Sequence, residues 1–200
     1  MQLDNSKLLS ISEEPQQQLF VLSFLSNLER LVEALDADGA SAHQLPVQRE
    51  LLRTIQYTSP APTRLIRNVA GRIFFDIFTK GDRKLLYDTI NELLLLVNSG
   101  KDKDLRVKHA AAHCLGEVFG AAGDSAISMA TFAISSLLKL LKNSQNHSGL
   151  RNSIFRALGQ IFSMVREMSD ESISRDVWKQ ARNSASGDKA AVVQCGALQV

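Results

Sequence analysis

Along nearly the whole chain, aliphatic residues recur at steps of three and four, which places them on one face of an α-helix. From Pro15 onward, Val21, Phe24, Leu25, Leu28, Leu31, Val32 and Leu35 form one such stripe. Pro15 suits a first helical turn, where its missing N–H does no harm. Asp36 to Ala42 interrupts the pattern, with Gly39 as the expected stop. Leu51, Leu52 and Ile55 then mark a second, shorter helix with Pro46 in its first turn. Ser59-Pro60-Ala61-Pro62 forces a turn, because residues before proline avoid helical backbone. Thr63 is placed to cap the next helix, whose stripe is Ile66, Ala70, Ile73, Phe74 and Ile77. Gly81-Asp82 separates it from a helix carrying Leu85, Leu86, Ile90, Leu93, Leu94 and Val97. After a polar turn over 99–104, the pattern resumes from about Asp104 to Gly120 with Val107, Ala111, Cys114, Leu115 and Val118. Gly123-Asp124-Ser125 punctuates, and Phe132, Leu137, Leu138, Leu140 and Leu141 belong to the following helix. Beyond a polar loop from Asn143 to Gly149 come Leu150, Ile154, Phe155, Leu158, Ile161 and Phe162, then a partner helix with Val177 and Trp178. Asn183 to Asp188 reads as the last turn, followed by a helix that runs on to Val200.

A second periodicity lies over the first. Ile66-Arg67, Val107-Lys108, Leu150-Arg151 and Val193-Gln194 each set an aliphatic residue before a long polar one, with spacings of 41, 43 and 43 residues. Seven residues after each of the first three polar members stands a large apolar residue: Phe74, Leu115 and Leu158. A repeat of about 40–47 residues filled by two helices is the mark of a stacked helical array. The expected fold is therefore all-α, a HEAT/armadillo-like α-solenoid of four to five helical hairpins, with repeats at 15–57, 62–99, 104–142 and 148–186 and a partial one at 188–200. Ala70, Gly71, Ala111, Ala112 and Ala157 would let neighbouring helices approach closely, and Gly116 and Gly159 recur at one repeat position. Arg67, Lys108 and Arg151 are expected to bond to a turn carbonyl or acid of the adjacent repeat. The last helix lacks a partner, so 1–200 reads as the N-terminal piece of a longer protein with a C-terminal face prone to self-association.

Composition narrows the function. Apolar residues make up 44% and charged residues 22%, ordinary for a folded soluble protein. The 23 basic and 21 acidic residues leave a net charge of +2, without the concentrated basic face of a nucleic-acid binder. Cys114 and Cys195 lie in helical patterns without a CxxC partner and read as small buried apolar groups in a reducing compartment. The run from Leu19 to Leu25 is too short to cross a bilayer, and no basic leader precedes it, so a cytosolic chain is expected.

Candidate chemistry is sparse. His109 and His113 have the four-residue spacing of a zinc pair, with Glu117 as a third donor, but the metalloprotease glutamate between them is absent. Helical geometry places both opposite the apolar stripe, as exposed residues, so no metal or other cofactor is expected. Gly123-Asp124-Ser125 lacks the strand that a nucleophile turn needs, and Ser125 reads as a helix cap. The alternating Lys101-Asp102-Lys103-Asp104 reads as a solvated turn. Lys139 and Lys142, with Arg175 and Lys179, fall on successive second helices, where they would line a weakly basic inner groove suited to an acidic peptide. Trp178 reads as a core residue.

Three segments carry a family resemblance: Ser59-Pro60-Ala61-Pro62-Thr63-Arg64, the helix Val107-Lys108-His109-Ala110-Ala111-Ala112-His113-Cys114-Leu115-Gly116, and Val177-Trp178-Lys179-Gln180-Ala181-Arg182. In that order and spacing the chain resembles the N-terminal region of the large HEAT-repeat accessory proteins of the first clathrin adaptor complex. Gln194, where repeats usually carry Arg or Lys, departs from the pattern. The resemblance implies a non-enzymatic trafficking scaffold at the trans-Golgi network and endosomes. It would bind the clathrin adaptor complex, a small disordered accessory protein or a second copy of itself. It would contact no nucleic acid, and would reach membranes only through partners. A nuclear-transport receptor is the alternative scaffold, although such receptors present acidic inner faces to basic cargo. A helical-repeat glycosylase would need an acidic catalytic residue in a basic, aromatic-lined groove, which the sequence does not offer.

Overall fold

The structure, a computed structural model, describes residues 2–100, 105–164 and 171–200; the turn at 101–104 lies outside them. Among the described residues there are ten α-helices and no β-strand: α1 (Asn5–Ser10), α2 (Glu14–Glu33), α3 (Ala37–Ile55), α4 (Arg64–Lys80), α5 (Leu86–Asn98), α6 (Leu105–Ala122), α7 (Ile127–Lys142), α8 (Ser148–Met164), α9 (Glu171–Gly187) and α10 (Ala191–Ala197). The even-numbered helices form one row, in which α2 packs on α4, α4 on α6, α6 on α8 and α8 on α10. Helices α3, α5, α7 and α9 form a looser second row, each packed against the even-numbered helix that follows it. Among the described residues, an apolar core extends from Leu3 to Ala197 between the rows. Each buried Leu, Ile or Phe contributes roughly 1.5–3 kcal/mol to holding the layers together.

The 42-residue pattern reappears as geometry. Ile66, Val107, Leu150 and Val193 are all buried, on α4, α6, α8 and α10, and Phe74, Leu115 and Leu158 are wholly excluded from solvent. Hydrogen bonds between helices of one row join residues one repeat apart. In the second row Gln48 donates to Thr89, 41 residues on, and Asn98 donates to Ser136, 38 residues on. In the first row Arg72 donates to Glu29 across 43 residues, and His109 meets Ser153 across 44.

The register residues behave alike even where they differ chemically. Arg67 donates to the Pro62 carbonyl (2.8 Å), Lys108 to that of Ser99 (2.7 Å) and Gln194 to that of Asp188 (2.8 Å). Each of these three bonds to a carbonyl that lies between its own helix and the helix before it. Arg151 alone reaches forward to the next turn, where it pairs with the Asp188 carboxylate. Gln194 thus makes the bond its position requires without carrying a charge. Gly116 meets the backbone of Ala157, the contact that brings α6 and α8 close.

Several boundaries differ from the sequence expectation. Gly39 does not stop a helix; Asp36 caps α3 by accepting from the Gly39 N–H (2.8 Å), so Gly39 lies in the first turn. Pro46 lies mid-way along α3 rather than at its start. An interior proline costs a helical hydrogen bond, here the one to Ala42, but both residues lie on the exposed face, and Ala40, Gln44, Val47 and Leu51 anchor the buried face on either side. Asn183 is not in a turn, since α9 continues to Gly187 behind the buried Ala181 and Ser184. The last helix is short and ends at Ala197. Ser125 caps nothing: α7 starts without a side-chain cap, and Gly123 makes the turn with φ of 54°, a backbone region that favours glycine. Helix α1 carried no periodic signal; it is capped by Asp4 and buries Leu8.

The segment Leu105–Lys142 is long and apolar enough by composition to cross a membrane. Here it is two helices, α6 and α7, broken at the 3-10 turn Gly123–Ala126, and half of its most apolar window is buried in the core.

Candidate partner-binding surface

The four basic residues singled out from the sequence lie on α7 and α9, which pack side by side in the second row. Lys139, Lys142, Arg175 and Lys179 are all exposed. They do not form one groove. Arg175 is bound along its own helix to Glu171 (2.8 Å). Lys139 lines a cavity of about 560 Å³ together with Asn98 and Ser136, at the ends of α5 and α7. Lys108 reaches this cavity from α6; Lys142, Arg175 and Lys179 do not line it. Burial lowers the pKa of Lys108, whose ammonium is held by the Ser99 carbonyl. A larger, open groove of about 720 Å³ lies between α3 and α5; Arg49 and Arg53 face Asp88 and Glu92 across it, so its charge is mixed.

Apolar side chains add to this surface. Trp178 is 61% exposed on α9, one position along from the buried Val177, and is not the core residue its apolar character implied. Phe132 on α7 is 58% exposed, although its aliphatic neighbours Leu137 and Leu141 are buried. Large aromatic side chains are thus left in water on the two helices that carry Lys139, Lys142, Arg175 and Lys179, and exposed aromatics of this kind are able to serve as contact points.

The histidines are the largest departure from expectation. His113 is only 7% exposed and His109 is mostly buried, because α6 is enclosed on both sides by α4 and α8 within the row. A helix inside a stack buries more than one face, so placing a residue opposite the main stripe does not leave it in solvent. Burial pushes the pKa of His109 down to about 3 and that of His113 down to about 4, with the nearby Arg67 adding to both. Both rings are therefore neutral at pH 7. His109 Nε2 lies 2.8 Å from the Ser153 hydroxyl. Glu117 does not join them as a metal-ligand set; among the described residues no group of three such donors converges. Cys114 is buried, as expected, and burial raises its pKa; Cys195 is exposed, contrary to expectation.

No protein-family model matches the chain, and no solved structure matches it. What stands is an all-helical protein of two packed rows.

Proposed function

We propose that this chain is a non-catalytic HEAT-type repeat scaffold, and that its second-row face, with Lys139, Lys142, Lys179 and the exposed Trp178, holds an acidic peptide of a partner protein. The observation that carries the repeat reading is the burial of Ile66, Val107, Leu150 and Val193 on four successive first-row helices. Such arrays offer long surfaces rather than enclosed sites, which suits holding a partner. The resemblance to the adaptor accessory family directs the choice of partner to the clathrin adaptor complex or its small disordered accessory protein, acting at the trans-Golgi network and endosomes. A second copy of this chain is a further candidate occupant.

The test is co-precipitation of purified adaptor complex, and separately of the accessory protein, with residues 1–200. The charge-reversed variant Lys139→Glu, Lys142→Glu, Lys179→Glu should lose the interaction while keeping its helical circular dichroism. Equal capture by wild type and variant would remove the basic face from the account. Capture of basic transport cargo instead of adaptor subunits would favour the nuclear-transport reading.

A further inference from the structure

The first row carries a feature that the partner surface does not use. A cavity of about 120 Å³ opens where α4, α6 and α8 lie side by side, lined by Arg64 and Arg67 of α4, His109 and His113 of α6, and Asn152 and Arg156 of α8. No carboxylate lines it. Glu117, one turn beyond His113 on α6, packs beside that ring against Gly71 and is not among the lining residues. The positions in contact climb together along the helices: His109 meets Ser153, and Gly116 meets Ala157. On the other side Gly71 of α4 packs against Glu117 of α6 and Phe75 against Gly120, so all three helices run in the same direction, and the cavity faces the first turn of α4 and the second and third turns of α6 and α8. Arg64 and Arg67 lie in the first turn of α4, whose positive dipole end adds to the charge of the three guanidinium groups.

Several arginines elsewhere have acidic partners. Arg53 pairs with Glu50, Arg72 with Glu29 and Arg151 with Asp188. Arg67 is half-buried and bonds only to the Pro62 carbonyl, while Arg64 and Arg156 make no hydrogen bond or ion pair among the described residues. Three cations held around one small polar cavity without a counter-charge repel one another, and that arrangement is relieved by an anion.

We propose that this cavity is a binding site for a phosphate dianion, clasped by Arg64, Arg67 and Arg156, with the Asn152 amide as a further hydrogen-bond partner. The guanidinium fork matches the oxygens of a tetrahedral oxyanion. The volume admits a single phosphate group rather than a nucleotide. Two sources share this chemistry, a soluble phosphate and the phosphorylated headgroup of a lipid; the cavity is open enough for either to reach it.

The experiment is titration calorimetry of residues 1–200 with inorganic phosphate at constant ionic strength. The comparison variants are Arg64→Gln and Arg156→Gln, whose side chains are exposed and whose loss should leave the fold intact by circular dichroism. Each substitution should weaken phosphate binding by about tenfold or more, the effect of losing one charge-assisted hydrogen bond. Co-sedimentation with phosphatidylcholine vesicles, with and without phosphorylated phosphatidylinositol, separates the sources. Phosphate-competed sedimentation assigns the site to a lipid headgroup, and calorimetric binding without sedimentation assigns it to a soluble phosphate. Identical phosphate affinity in wild type and both variants, or no binding at millimolar phosphate, would overturn the proposal.

Discussion

Adding a single methyl group at each of two glycines on α6 should change stability in opposite directions. At Gly116 a Cβ would lie 2.8 Å from the Ala157 Cα and 3.0 Å from its Cβ, and would meet the Gln160 side-chain oxygen as well. Carbon atoms pack best at about 3.5–4.0 Å, so Gly116→Ala forces α6 and α8 apart by several tenths of an ångström. Backbone cannot step aside as a flexible side chain can, and overpacking of this kind costs roughly 1–3 kcal/mol. Against this stands the gain of about 0.5–1 kcal/mol from replacing glycine inside a helix. The net expectation is a loss of about 1–2 kcal/mol. At Gly120 the same Cβ would lie 3.6 Å from Phe75 Cε2 and 3.7 Å from Gln160 Nε2, ordinary contact distances. Gly120→Ala should therefore keep the propensity gain and stabilise by about 0.5–1 kcal/mol. Urea denaturation of the two variants beside wild type reads both signs at once. In a chain of this length each kcal/mol corresponds to about 2–4 °C in Tm. If Gly116→Ala matched or exceeded the stability of wild type, the close approach of α6 to α8 would be wrong.

Three further outcomes follow from individual side chains. His109 and His113 have folded pKa values of about 3 and about 4, below the ordinary 6.5, so the unfolded chain takes up their protons first as pH falls. Stability is thus complete above pH 6.5 and is lost below it, at up to about 1.4 kcal/mol per pH unit for each ring. His113→Gln should roughly halve that slope in phosphate-free buffer between pH 6.5 and 5; an unchanged slope would refute the assignment. Arg151 and Asp188 form a pair whose side chains are 19% and 7% exposed, and the Asp188 carboxylate also accepts from the Ala190 N–H. Asp188→Ala should cost about 3 kcal/mol by leaving Arg151 unpaired, and Arg151→Met combined with Asp188→Leu should cost less than that single change, both read by thermal denaturation. Trp178→Ala should alter stability by less than about 0.5 kcal/mol, since the ring is in water, yet reduce capture of the partner; a large loss of stability would return Trp178 to the core.

The parts of this fold legible in sequence were those set by strong periodicity. The stripes of α4, α5, α6 and α8 give their elements directly, and the recurrence of Ile66, Val107, Leu150 and Val193 marks positions that prove equivalent in packing. Thr63 as cap of α4 was readable for a local reason, since its hydroxyl accepts from the Ile66 N–H three residues on. The misreadings arise where tertiary packing overrides a local signal. Gly39 and Pro46 look like breaks, but the buried face of α3 holds that helix through both. Trp178 and Phe132 look like core, but their row has no layer above it. His113 looks exposed because a helical wheel has one apolar side, whereas a helix in the middle of a row is covered from two. The cavity among α4, α6 and α8 was invisible for the same reason. Its arginines and histidines are spread over 93 positions, from Arg64 to Arg156, and only the parallel stacking of three helices brings them together.

Helices one repeat apart lie side by side in each row. A cysteine pair at Asn98→Cys and Ser136→Cys, in a Cys195→Ser background, tests it directly, because Asn98 Nδ2 and Ser136 Oγ are 2.9 Å apart on α5 and α7. A short bifunctional thiol reagent should join the two cysteines within one chain at dilute protein concentration, seen as an intramolecular link between the two tryptic peptides. Bridging only between separate chains, or none at all, would contradict the two-row arrangement.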